Sequence, residues 1–345
     1  MEALVNRLRS AARLMVPLLL LLATTGYAEP VADTSSKVVK AQLLATIDFI
    51  DAGVNSLNAV NSLLKKEAYR VKITSFNNPA SSDLGFNLEQ EVQVALKPLL
   101  DKARNADPQK FSSVVSSLLG NGAQQFANLA PVQSVFPTIL GLVSNLTISE
   151  RRINRSDLDS FQATVGRYFI QFQKLQTANA QFDGNIDRLN SRMHDLQFDL
   201  REYLLDLCDL LYPEVPRSTL RSLGDEELLL RYLSRDKLAA RWKTKSAPAR
   251  YPSDALKAAK DLSGNLQKLF TDYQKVYAEN YQQVRAILNE TRQLGKRVNL
   301  QQVDLSLKEV ELLYTESRST DALALRLGTL QERLRLLSAS EQPHP

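Results

Sequence analysis

The 345-residue chain is short of the residues on which most catalytic and metal sites depend. It has one cysteine, Cys208, so no disulfide forms within one copy. It has two histidines, His194 and His344, and neither has a Cys, His or carboxylate partner at metal-site spacing. Glu-x-x-His, Gly-x-Ser-x-Gly, the phosphate-binding glycine loop and His-Glu-x-x-His are all missing. These gaps argue against an enzyme, and no cofactor, metal or small-molecule substrate is expected. The formal charge of +5 is too weak a balance to predict nucleic acid as a partner. Twelve glycines and thirteen prolines fall in clusters, which leaves long stretches free to be helical.

Long apolar runs are also missing. The nearest to one, Leu14 to Ala23, follows Arg7, Arg9 and Arg13 and precedes the small residues Gly26 and Ala28. This is the pattern of a secretory signal peptide over 1–28, cut near Ala28. The run is too short for a comfortable membrane span of about 20 residues. The mature chain is expected to begin near Glu29, carry a formal charge of +3, and be periplasmic or secreted.

What the chain does have is a period of 3.5 residues. From Leu158 through Phe161, Val165 and Tyr168 to Leu207 and Leu210, apolar positions step by three and four, with only Asn179 polar. A helix over 150–212 would be roughly 90 Å long. A second such seam, over 253–298, runs from Leu256 to Val298 and includes Asn280. A third starts near Lys37 and reads Leu43, Ile47, Ile50, Val54, Leu57, Asn61, Leu64, Ala68, Val71. Single asparagines on apolar seams select register and partner number, so Asn61, Asn179 and Asn280 are candidates for that role. If the chain reverses after Tyr212, Asn179 and Asn280 fall at similar heights in an antiparallel pair.

Between the seams, Asn77-Asn78-Pro79 marks a turn, and a helix over about 87–105 contains Pro98. Asp107-Pro108 is a helix start. Residues 111–149 carry no charge, although 23% of the chain is charged. Gly120-Asn121-Gly122 reads as a break within this segment, and Pro131 and Pro137 interrupt it further. Its apolar side chains Phe111, Leu118, Leu119, Phe126, Val135, Phe136, Ile139 and Leu140 are candidates for membrane or partner contact. Residues 217–250 form a basic elbow, in which Ser218 or Asp225 caps a helix reaching about Trp242. A last helix covers about 301–338, and 339–345 reads as a disordered tail.

The long helix also carries an acidic stripe, Asp195, Asp199, Glu202, Asp206 and Asp209. Like charges at this spacing repel. The basic elbow, with Arg231, Arg235, Lys237, Arg241, Lys243 and Lys245, is the nearest match. The alternatives are a solvated face near Arg192 and Arg201, or a divalent-cation site.

The chain therefore reads as all-α. It is expected to be one elongated bundle over 29–338, built from long antiparallel coiled-coil-like helices with an inserted apolar helical hairpin at 111–149. In the order of these elements it resembles α-helical pore-forming toxins of the cytolysin A and haemolysin BL kind. The likeness is one of plan and not of residue motif, and it implies membrane insertion through 111–149. The primary expectation is an exported, non-enzymatic scaffold or protein-interaction protein that binds a protein partner or itself. The alternative is a membrane-interacting or pore-forming helical protein.

Overall fold

The computed structural model describes residues 31–65, 68–103, 107–126, 132–149, 152–244, 253–295, 297–318 and 321–339. The predicted signal peptide and residues 340–345 of the predicted tail lie outside the described residues. Among the described residues every regular element is helical and no strand occurs, so the chain is all-α. The elements are α1 (Val31–Lys65), α2 (Ala68–Ser75), α3 (Leu88–Lys102), α4 (Pro108–Phe126), α5 (Val132–Ser149), α6 (Arg155–Leu211), α7 (Arg217–Arg221), α8 (Asp225–Leu228), a π-helical turn (Leu229–Leu233), α9 (Arg235–Thr244), α10 (Ser253–Thr291), α11 (Leu300–Ser317) and α12 (Asp321–Ala339).

The spine is α6, 57 residues long. It starts at Arg155, later than expected, because Asn154 and Asp157 close a capping box there. It ends at Leu211, where Tyr212 caps and Pro213 follows. Its most extensive partner is α10. Both seams are buried: on α6 from Phe161 to Leu207, and on α10 and the turn after it from Leu256 to Val298. Only the end positions Leu158 and Leu210 of the α6 seam are half-buried. Each fully buried Leu or Phe contributes about 2 kcal/mol relative to exposure, which makes this row the main source of stability.

Two further helical segments complete the core. In α1 and α2 the chain runs antiparallel to α6: Gly53 lies against Leu200, and Tyr69 against Phe182. In α11 and α12 it runs back along α10: Tyr314 stacks on Tyr281, Gln274 donates to Asp321, and Gly328 approaches Gln267. Helices α3, α4 and α5 gather at the end of α6 that holds Phe161 and Phe169, and the elbow folds over the opposite end.

Several local expectations change. The α1 seam holds through Leu57 but then shifts: Val60, Tyr69 and Ile73 are buried, Asn61 is half-buried, and Ala68 and Val71 are exposed. This segment is packed by α6, α10, α11 and α12 together, so more than one stripe is buried. Helix α4 runs straight through Gly120-Asn121-Gly122, because glycine keeps its N–H and weakens a helix by only about 1 kcal/mol. Pro98 and Pro137 sit inside α3 and α5. The elbow is not one helix but three short ones around a π-helical turn. Ser218 and Asp225 lie inside the first turns of α7 and α8, whose caps are Pro216 and Gly224. At the C-terminus, Ala339 still belongs to α12.

Candidate functional site

Two of the three seam asparagines meet. Asn280 Nδ2 donates to the Ala178 carbonyl at 3.2 Å, so Asn280 and Asn179 occupy one level of the antiparallel pair. They do not bond to each other; both instead hold α2 and the turn after it. Asn179 Nδ2 donates to the Ile73 carbonyl at 2.9 Å and to Asn77 Oδ1 at 3.1 Å. Asn280 Oδ1 accepts from the Tyr69 hydroxyl at 2.8 Å. Around this level Tyr69, Tyr277 and Phe182 form a closed aromatic cluster, and Tyr273 packs on Tyr277. Burial pushes the phenols of Tyr69, Tyr273 and Tyr277 up, so they stay neutral. Asn61 takes no part.

The elbow pairs with the last three carboxylates of the acidic stripe, but through residues other than the expected six. Arg217 pairs with Glu202, Asp206 and Asp209 together, and Arg221 approaches Glu202 at 3.6 Å. The hydrogen bond from Arg217 holds the Glu202 carboxyl below the usual range. Arg217 and Arg221 are the first basic residues after the prolines that stop α6. A tight reversal there brings them back along the last turns of the stripe, and that was the available signal. Asp195 and Asp199 remain exposed beyond the clasp.

The six expected residues are used elsewhere or stay in solvent. Arg235 forks onto Asp48 of α1 at 2.9 and 2.5 Å, and Arg333 of α12 reaches the same carboxylate at 3.2 Å. One aspartate thus ties the elbow, α1 and α12. Arg241 donates to the Leu211 carbonyl, pairs with Glu214 at 2.8 Å and lies over the Tyr212 ring. Arg231 pairs with Glu227 one helical turn away. Lys237 and Lys243 are exposed, and Lys245 lies outside the described residues. Arg192 and Arg201, considered as neighbours of the stripe, pair with Asp272 and Asp225.

In the charge-free segment, Leu119 of α4 and Ile139, Val143 and Leu146 of α5 are buried, and Phe136 stacks on Phe169 of α6 with ring centres 4.6 Å apart. Phe111, Leu118, Val135 and Leu140 are half-buried against the core. The Phe126 side chain lies outside the described ones. Ile148 is 80% exposed. Among the described residues no helix is long and apolar enough to cross a membrane.

The chemistry-bearing side chains are not gathered. Cys208 is buried, and its thiol is pushed up to about 12 by burial and then by Asp209. His194 is exposed, with Nδ1 2.8 Å from the Asn190 carbonyl. No group of His, Cys, Asp and Glu able to hold a metal occurs among the described residues. Two open clefts flank the start of α6. One, of about 500 Å³, lies between α5 and α6 around Phe136, Gly166 and Ile170. The other, of about 390 Å³, lies among α3, α6 and the turn after α10, with Arg167, Tyr168 and Arg297 on its wall. No family model matches the chain, and no curated protein or solved structure matches it either.

Proposed function

We propose that the chain is an exported, non-enzymatic helical scaffold that acts by binding protein. In this reading it is an elongated bundle whose antiparallel helices pack in the coiled-coil manner, with α4 and α5 as an apolar pair set against its end. The observation that carries the reading is the α6 spine. It is a rod of 57 residues, roughly 85 Å long, whose seam is spent on internal packing and whose buried Asn179 amide nitrogen is tied to α2 and the turn after it. Such a rod separates its two ends rigidly, and its outer faces are the free surface. The packing of α5 on α6 supports a structural use of the charge-free segment over a membrane-inserting one. The leader pattern over 1–28 supports export.

Expression with the chain's own leader tests the address: a mature N-terminus at Glu29, recovered outside the cytoplasm, is expected. Vesicle flotation with cross-linking in the exporting cell tests the activity. The expected result is protein adducts without flotation. Flotation together with dye leakage would replace this reading with the membrane one.

A further inference from the structure

The open cleft of about 500 Å³ between α5 and α6 is made by small residues. Ala163 and Gly166 stand one helical turn apart on α6. Phe136 of α5 comes so close over Gly166 that a Cβ there would lie 3.4 Å from its Cζ. The same ring stacks on Phe169, which holds the two helices together, while Ala163 leaves the space beside it unfilled. Ile139 and Val143 are fully buried and fix α5 on the core. Ile170 lines the cleft as well and is 49% exposed.

Charge and size select the occupant. Arg167 is the only charged residue that lines this cleft, and it also borders the second one. Gln162 and Gln173 add amide donors. Helix α5 brings no charge, because residues 111–149 have none. Among the described residues no carboxylate forms an ion pair with Arg167. On neighbouring elements Asp157 pairs with Lys102 at 2.6 Å, and Glu91 lies 3.6 Å from Arg297. Before the cleft, Asp159 and Arg155 precede Ala163 by one and two turns and carry opposite charges. An unpaired guanidinium beside apolar walls suits a ligand with an apolar body and one acid group. Nine residues line the cleft, too few for a stable protein interface of about 20–30 residues a side. Its volume falls within the range of about 300–1,000 Å³ typical of small-molecule sites. We infer that the cleft binds a small amphipathic anion, an apolar chain ending in a carboxylate. The chain lies along Phe136, Phe169 and Ile170, within the roughly 16 Å between Gln162 and Gln173, and the carboxylate accepts from Arg167. This goes beyond the protein-binding reading and does not depend on it.

The test is isothermal titration calorimetry of the protein expressed with its own leader, with dodecanoate as the probe. Saturable binding of one dodecanoate per chain is expected. Dodecyltrimethylammonium, which has the same tail and a cationic head, should bind at least about tenfold more weakly, and acetate should not bind. Arg167→Gln should weaken dodecanoate about tenfold, and Arg167→Lys should recover part of that loss. Ala163→Phe should abolish binding by filling the cleft, with helix content unchanged by circular dichroism. If that variant unfolds, Ile170→Gln at the exposed wall should weaken dodecanoate and the cationic analogue alike. No binding of dodecanoate, equal binding of the two head groups, or Arg167→Gln or the cleft variant binding like the parent overturns the proposal. So does a protein that binds anionic phosphatidylglycerol vesicles but not free dodecanoate. None of these results bears on whether the outer faces of the rod bind protein, which the cross-linking experiment reads separately.

Discussion

Tyr69 and Asn280, 211 residues apart in sequence, share a buried hydrogen bond of 2.8 Å. The bond joins α2 to α10, and the Asn280 amide nitrogen carries it on to α6 through Ala178. Three helices are fixed in register at one level. Removing one partner strands the other without water, which costs more than the net value of the bond. Asn280→Leu should therefore destabilise the protein by about 2 kcal/mol, read as a lower urea midpoint with an unchanged slope. Adding Tyr69→Phe should recover part of the loss, since the hydroxyl that the first change orphans then disappears. A double variant worse than the sum of the single ones would contradict this account.

Much of this level was legible beforehand. The seams follow from a period of 3.5, and the matched heights of Asn179 and Asn280 follow from counting residues on either side of the elbow. The partners were not legible, because each asparagine turned to α2, whose buried residues Tyr69 and Ile73 leave the α1 seam. Asp48 was equally hidden, because its partners Arg235 and Arg333 lie 187 and 285 residues away. Periodicity points to one helix in the elbow where the structure has several, because segments of four or five residues take their shape from what they pack on.

The Arg217 clasp should be sensitive to acid. Arg217 holds Glu202 below the usual carboxylate range in the folded state. A depressed folded value contributes stability above the unfolded value and loses it as pH falls through the folded one. Hydrogen exchange across 213–233 should therefore accelerate as pH drops below about 4, after correction for intrinsic rates. Arg217→Gln should show faster exchange already at neutral pH, and added salt should narrow the difference. Equal exchange in both proteins at neutral pH would mean that packing of Leu220 and Leu228 alone holds the elbow.

Alkaline pH should act on the core rather than the surface. Burial raises the phenols of Tyr69 and Tyr273, and it pushes the Cys208 thiol up to about 12. Groups raised in this way contribute fully below their unfolded values, about 8.5 for Cys and about 10 for Tyr, and lose that contribution as pH rises through the folded ones. Ionisation of the buried tyrosines should thus coincide with loss of helix in a pH titration, and Cys208 should resist a thiol reagent until the same point. Tyrosinate absorbance from all ten tyrosines that follow Ala28 appearing well before helix is lost would contradict this.

The turn that docks α11 depends on one glycine. Gly85 has φ +81°, and a Cβ placed there would lie 2.5 Å from Val303 Cγ2 and 2.8 Å from the Asn299 carbonyl oxygen. The Asn299 N–H donates to the Gly85 carbonyl at 2.7 Å, so backbone meets backbone and neither side can yield cheaply. Gly85→Ala combines a left-handed conformation with a main-chain clash and should cost about 3 kcal/mol. Gly184, exposed on α6 with nothing within 4 Å of its would-be Cβ, is the control. Gly184→Ala should raise stability by about 0.5–1 kcal/mol through helix propensity. Thermal unfolding should move the two variants in opposite directions. If Gly85→Ala unfolded like the parent, the contact between this turn and the start of α11 would not hold that helix in place.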